Sequence, residues 1–211
     1  MWIYEKRLQF PVKITQTNPR YARLIISQYG GPDGELSASM RYLAQRYTMP
    51  VKEVGGLLTD IGTEELAHME MICAMVCQLT KNLTTEQAKA EGFDAYYIDH
   101  TKGLWPQAAG GIPFNTCEFQ SKGDAFADLT ENLAAEQKAR TVYDNLLRMI
   151  PDPEIQAPLQ FLRTREIVHF QRFGEALEMV KDRMDSRNFY YFNPEFDRTT
   201  SGNLTGESAQ V

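Results

Sequence analysis

Glu35, Glu65 with His68, Glu136, and Glu166 with His169 are the residues of this 211-residue chain whose types and spacing suit chemistry. Glu65-Leu-Ala-His68 follows Glu35 by thirty positions, and Glu166-Ile-Val-His169 follows Glu136 by thirty. The second set repeats the first at an offset of 101 (35 to 136, 65 to 166, 68 to 169). Residues three apart share a helix face, so each Glu-x-x-His presents a carboxylate and an imidazole to one point. A lone Glu from each of two helices and a Glu-x-x-His from each of two others form the donor set of a dinuclear metal site in a four-helix bundle. Oxygen donors with one imidazole per metal suit manganese or iron, and donor type does not separate the two. Ile61, Leu66, Met69 and Ile72 surround one motif, and Leu162, Ile167, Val168 and Phe170 the other, so buried carboxylates are expected. Burying them without counter-charge costs many kcal/mol, which a pair of divalent cations offsets.

Other polar residues carry weaker signals. Tyr42 lies two turns beyond Glu35 on the same face, where it can hydrogen-bond a ligand carboxylate from outside the metal's own shell. An ordinary core tyrosine is the alternative. Arg140 reads as a surface or helix-end charge, and His100, with no partner pattern, as a surface histidine.

The spacing of thirty dictates the elements that carry these groups. From Glu35 to the turn near Thr48 the chain climbs about 20 Å at 1.5 Å per residue, and from Pro50 to Glu65 it descends as far. The same holds for Glu136, the break at Pro151 and Glu166. The predicted fold is all-α, with a first helical hairpin over residues 34–80, a crossover over 81–120 and a second hairpin over 121–184. Helices two and three then run parallel, so their connection must span the bundle. Gly103, Pro106, Gly110-Gly111 and Pro113 interrupt that stretch, which shows no helical period. Asp33 and Thr48 are the expected caps of the first two bundle helices, and Ser121 or Asp124 that of the third. Pro158 predicts a kink in the fourth. Gly55, Gly56 and Gly62, each costing about 1 kcal/mol in a helix, predict close packing along the second.

The ends are less regular. Residues 1–17 form an N-terminal arm that either straps onto the bundle or embraces a neighbouring subunit. Asn18-Pro19 caps a short helix over 18–29. Residues 185–211 form a C-terminal tail whose aromatic stretch from Asn188 docks on something and whose polar end is expected to be disordered.

Length fits a single domain with a sizeable core. A net charge of −6 and no Lys/Arg cluster exclude nucleic acid as the main partner. No apolar run approaches the roughly 18 residues of a membrane span. Met-Trp-Ile-Tyr-Glu-Lys-Arg does not open a signal peptide, so cytoplasmic synthesis is expected. Of three cysteines, Cys73 and Cys77 lie one turn apart and read as buried reduced thiols, because a zinc site needs a second pair. No Gly-rich phosphate loop is present.

Gly34-Glu35-Leu36 leading to Tyr42-Leu43, then Asp60-Ile-Gly-Thr-Glu-Glu65-Leu-Ala-His68-Met-Glu-Met-Ile72, resembles the manganese catalase family. Leu133-Ala-Ala-Glu136 and Arg165-Glu166-Ile-Val-His169 match its second half, and the short chain is most similar to the spore-coat, CotJC-type branch. The resemblance implies a ferritin-like bundle holding two manganese ions per chain, or iron, and disproportionating hydrogen peroxide to water and oxygen. It implies that Glu65 bridges the metals, that Glu35 and His68 complete one and Glu136 and His169 the other, and that Glu166 is a nearby carboxylate shuttling protons. A homo-oligomer, typically a hexamer, is implied, with other spore-coat proteins as further partners and the coat as a destination. In one departure, the best-known members carry an Arg immediately before the third-helix ligand Glu, where this chain has Ala135. Two other functions fit the residues: a coat structural or assembly protein whose dimetal site is vestigial, and a di-iron ferroxidase or peroxidase. The absence of a Cys-x-x-Cys module counts against a rubrerythrin-type version of the latter.

Overall fold

A computed structural model of the chain describes residues 3–183, so the expectations for the tail beyond Arg183 lie outside the described residues. Asn18 caps as its sequence predicts, accepting from the Tyr21 N–H ahead of Pro19. The short helix it opens is broken at Ile26 into α1 (Pro19–Ile25) and α2 (Ser27–Gly30).

The first hairpin consists of α3 (Glu35–Gln45) and α4 (Lys52–Leu79). Asp33 does not cap α3; Gly34 does, without a side-chain bond. The chain turns back so tightly there that a Cβ on Gly34 would sit 2.9 Å from the carbonyl oxygens of Ser27 and Gln28. Thr48 does not cap α4 either: its hydroxyl donates to the Gln45 carbonyl and so closes the end of α3. Where α3 crosses α4, a Cβ on Gly62 would come within 2.8 Å of Leu43 Cγ, which accounts for that glycine by close packing. Close packing does not account for Gly56, around which 4 Å of space is open.

The crossover departs from the expected irregular chain. It folds α5 (Thr85–Ala90), with a complete capping box between Thr84 and Gln87, and α6 (Asp94–His100). A 3₁₀ turn follows at Thr116–Phe119. Elements of two turns or less are too short to display a helical period. Among the described residues no strand forms, and a single antiparallel bridge pairs Gln107 with Pro113. The second hairpin consists of α7 (Ala125–Met149), capped by Asp124 onto the Ala127 N–H, and α8 (Pro153–Arg183), which continues through Pro158 as one helix.

The N-terminal arm lies along its own bundle. Val12 and Ile14 are buried, Phe10 stacks on Phe161 at 5.0 Å, and the Gln78 amide bonds the arm backbone at Val12 and Ile14. Cys73 is half-buried and Cys77 exposed, contrary to expectation, because Met71, Ile72, Met75 and Val76 already fill the inward arc of α4 at that level. His100 stacks on Trp105 at 4.7 Å, and Arg140 pairs with Asp144 at 2.5 Å.

Two apolar clusters fill this ferritin-like bundle, one at each end. Along α4, Val54 to Ile61 belong to one cluster and Met71 to Leu79 to the other; along α8, Phe173 to Val180 and Ile155 to Leu162 divide the same way. Glu65 with His68, and Glu166 with His169, fall in the gap between them. No helix among the described residues is long and apolar enough to cross a membrane.

Candidate metal centre

Each bundle helix delivers its share of the donors to this mid-depth gap. Glu35 comes from the first turn of α3, Glu65 and His68 from the middle of α4, Glu136 from α7, and Glu166 and His169 from α8. None of the six is more than 2 % exposed. The two oxygens of Glu65 part company: one lies 2.7 Å from His68 Nδ1, the other 2.8 Å from His169 Nδ1. Glu35 stands 3.8 Å from His68 Nδ1 and Glu136 3.6 Å from His169 Nδ1, so each imidazole faces its own terminal carboxylate as well as the shared one. Donor atoms of Glu65, His68, Glu166 and His169 all fit within 4.8 Å of one another.

Sequence reasoning singled out Tyr42 among the groups around this cluster but missed Tyr143, Glu64 and Arg165. Tyr143 donates its hydroxyl to Glu35, as Tyr42 does to Glu136, so each tyrosine serves the carboxylate of the other hairpin. Tyr143 stands 101 positions after Tyr42, and the offset already found in the ligands would have revealed it. Glu64, beside Glu65, turns outward and lies 3.6 Å from His68 Nε2 and 3.0 Å from His169 Nε2. Arg165 grips its two oxygens at 2.7 and 3.2 Å, and Gln9 of the arm adds a bond at 2.7 Å. A carboxylate on the outer nitrogen fixes a ligand imidazole's tautomer and orientation. Here Glu64 is within hydrogen-bond distance of His169 Nε2 at 3.0 Å, while at 3.6 Å from His68 Nε2 it acts on that ring by charge alone. Glu64 precedes His68 by one helical turn, and its 101-offset counterpart is the oppositely charged Arg165; together these were the available signal.

Proton affinities in the cluster are far from ordinary. Burial, then the neighbouring Glu65, pushes the Glu35 carboxyl up to about 8. Burial raises Glu136, and it lifts Glu166 well above the carboxylate range with Glu35 and Glu65 adding to the effect. Burial opposes charge on Glu65 too, yet His169 and His68 outweigh it and hold Glu65 low. Both imidazoles are raised in turn, burial being overcome chiefly by Glu65. Burial thus favours the neutral form of Glu35, Glu136 and Glu166, while Glu65 favours protonated imidazoles at His68 and His169.

The donors fit divalent cations. Glu65 Oε1, Glu136 Oε2, Glu166 Oε1 and His169 Nδ1 are buried without a hydrogen-bond partner, and His169 Nδ1 lies close to Glu65 without the alignment of a hydrogen bond. Unpaired buried donors converging on one point are what a metal ion satisfies.

The profile of the family described as manganese containing catalase matches residues 1–189. The chain belongs to that family. It is 51 % identical over 190 residues to Protein CotJC of Bacillus subtilis (strain 168), covering 90 % of this chain and all of that one. It is 36 % identical to a probable manganese catalase of Clostridium acetobutylicum, with 90 % and 85 % of the two chains covered. The fold is similar to that of KatB, a manganese catalase from Anabaena PCC7120, at a TM-score of 0.81 and 30 % identity over 92 % of this chain and 85 % of that one.

Within the family fold, a narrow cleft between α3 and α7 reaches the centre. Glu35, Tyr42, Glu136 and Glu166 line its inner end; Ala38, Ala135 and Ala139 keep its walls small, and Arg41 stands in one of them. Its free volume of about 10 Å³ has room for roughly one water.

Proposed function

We propose that this chain is a dimanganese catalase that disproportionates hydrogen peroxide to water and oxygen. The observation that carries the reading is the split of Glu65 between the two imidazoles, each backed by its own terminal carboxylate. In this reading Glu35, Glu65 and His68 would hold one manganese, and Glu65, Glu136 and His169 the other. A bound manganese pair would supply the two-electron redox chemistry that the disproportionation needs. Oxidising a peroxide to oxygen releases two protons, and reducing another to water consumes two. Glu166 is placed to carry them: burial favours its protonated form, and its Oε1 has no other partner. Tyr42 and Tyr143 hold the terminal carboxylates, and Glu64 with Arg165 orients the His169 imidazole from behind. Assembly as a homo-oligomer, a hexamer by family resemblance, belongs to the same proposal.

A coat-associated structural role is the second reading, favoured by the 51 % identity to Protein CotJC. Metal analysis of the native protein together with oxygen evolution from peroxide separates the readings. Two manganese per chain with oxygen release is expected. Bound metal without turnover favours the structural role, and iron a ferroxidase or peroxidase.

A further inference from the structure

Gln28 has no part in the dimetal reading, yet it lies beside the centre. It belongs to α2, which folds back over the start of α3: a Cβ on Gly34, next to Glu35, would sit 2.9 Å from the Gln28 carbonyl oxygen. The residue is 1 % exposed, and its amide nitrogen is buried without an aligned hydrogen-bond partner. Leaving a buried donor unpaired costs about 1–3 kcal/mol. That amide lies by the hydroxyl of Tyr143. Burial, then the charges of Glu35 and Glu166, keep the proton on the hydroxyl, and the Gln28 amide works against them. An N–H directed at a phenol oxygen acts in this way, because it favours negative charge there.

The Tyr143 hydroxyl has one proton and two carboxylates that bear on it. It donates to Glu35, while the charge of Glu166, whose Oε1 has no partner, also acts on it. A hydroxyl is a rotor that turns to suit its neighbours. An N–H at its oxygen takes up a lone pair, restricts that rotation and strengthens the O–H as a donor. The other half of the centre is built differently. Tyr42 donates to Glu136, but its ring packs on Phe173 at 4.8 Å within an apolar cluster that includes Leu129. Leu129 is the residue that the 101 offset pairs with Gln28. The pseudo-twofold of the donors thus breaks here, with an amide behind one tyrosine and apolar side chains around the other.

We infer that Gln28 is a positioning residue whose amide steers the Tyr143 hydroxyl onto Glu35, so that the metal position of Glu35 and His68 is supported in a way that the position of Glu136 and His169 is not. Gln28 acts through Tyr143 and not as a ligand. The inference rests on the dimetal reading of the centre but not on catalytic turnover.

Stepwise calorimetric titration with manganese reads the two positions separately. Gln28→Met removes the amide at similar volume, and Gln28→His keeps an N–H donor at comparable reach. Losing a partner in direct contact with a ligand weakens metal binding about 10–100-fold, and Gln28 stands one group further out. Gln28→Met should therefore weaken one manganese equivalent by about three- to tenfold and leave the other within about twofold of the parent. Gln28→His should recover most of that loss. In a Tyr143→Phe background the effect of Gln28→Met should vanish, and in a Tyr42→Phe background it should persist. A packing role for Gln28 would survive Tyr143→Phe and would not be rescued by an N–H donor. If Gln28→Met does not fold, Gln28→Leu carries the same expected loss. A parent-like titration of the folded variant overturns the inference, as do equal weakening of both equivalents, an undiminished effect in Tyr143→Phe, or Gln28→His no better than Gln28→Met. Parent protein that takes up fewer than two manganese removes the dimetal reading and the inference with it. Selective loss of one equivalent in a protein that evolves no oxygen would support the inference while removing the catalase reading.

Discussion

The hydroxyl of Tyr143 on α7 donates to Glu35 on α3. Its counterpart at the 101 offset, Tyr42 on α3, donates to Glu136 on α7. The pseudo-twofold of the ligands thus extends outward, and the two tyrosines tie the hairpins together across the metal centre. α3 and α7 carry the lone glutamates, and these two bonds link them in both directions.

Replacing either tyrosine by Phe removes a hydrogen bond to a buried carboxylate and fills nothing in its place. Such bonds are worth about 1.5–3 kcal/mol. Tyr143→Phe and Tyr42→Phe are each expected to destabilise the protein by that amount in urea unfolding. Both bonds touch one charge cluster, so the double variant should depart from additivity by about 0.5 kcal/mol or more. Single variants indistinguishable from the parent would remove the tyrosines from any positioning role.

Glu64 is within hydrogen-bond distance of His169 Nε2 and lies 3.6 Å from His68 Nε2, so its loss should weaken both metal positions, that of His169 more. Glu64→Gln keeps the shape and discards the charge that Arg165, His68 and His169 share. Disrupting partners of this kind lowers metal affinity by about 10–100-fold. Manganese titration should show both equivalents weakened; one equivalent bound at parent affinity would contradict a shared carboxylate.

How far the site was legible depended on repetition. Six donors were visible because two motifs and two single glutamates recur at one offset, and helix rise placed them at one depth. Glu64 and Tyr143 were legible by the same rule but looked ordinary: a glutamate beside a motif, a tyrosine in an apolar helix. Arg41 had no such signal, because its carbonyl partners at Glu118 and Phe119 belong to a crossover whose turns are too short to read. Gly34 at the α3 cap was hidden for a similar reason: its need for glycine comes from the carbonyls of α2, which pass over it only in the folded chain. Ile167 and Phe170, taken as cover for the second motif, are instead exposed on α8, since the helix period turns them away from His169.

The helix-two glycines separate packing from propensity. Gly56→Ala meets nothing within 4 Å and should stabilise the fold by about 0.5–1 kcal/mol through helix propensity alone. Gly62→Ala brings a Cβ to 2.8 Å from Leu43 Cγ and 3.3 Å from its backbone nitrogen, so α3 must shift. Overpacking of this kind costs about 1–3 kcal/mol. Thermal unfolding of the two variants should move in opposite directions, and manganese affinity should fall only in Gly62→Ala, where the spacing of Glu35 from Glu65 changes. A stabilised Gly62→Ala would mean that the helices are not in contact there.

Metal uptake should release protons. Burial and the neighbouring Glu65 push the Glu35 carboxyl up to about 8, and burial keeps Glu136 and Glu166 above the usual carboxylate range. His68 and His169 retain protons because Glu65 overrides their burial. Coordination requires ionised carboxylates and neutral imidazoles, so every one of these protons opposes binding. The sign follows: apparent manganese affinity increases as pH rises toward about 8, where Glu35 loses its proton without help. Below that pH the ion must displace protons from carboxyl and imidazolium alike, and affinity weakens with each step into acid. Calorimetric titration of manganese in two buffers of different ionisation enthalpy measures the number released. At neutral pH that number should be above one per chain, and it should shrink as pH rises. A count of zero would mean that the buried carboxylates are already ionised before the metal arrives, and protons would then not be the charge that balances the empty cluster.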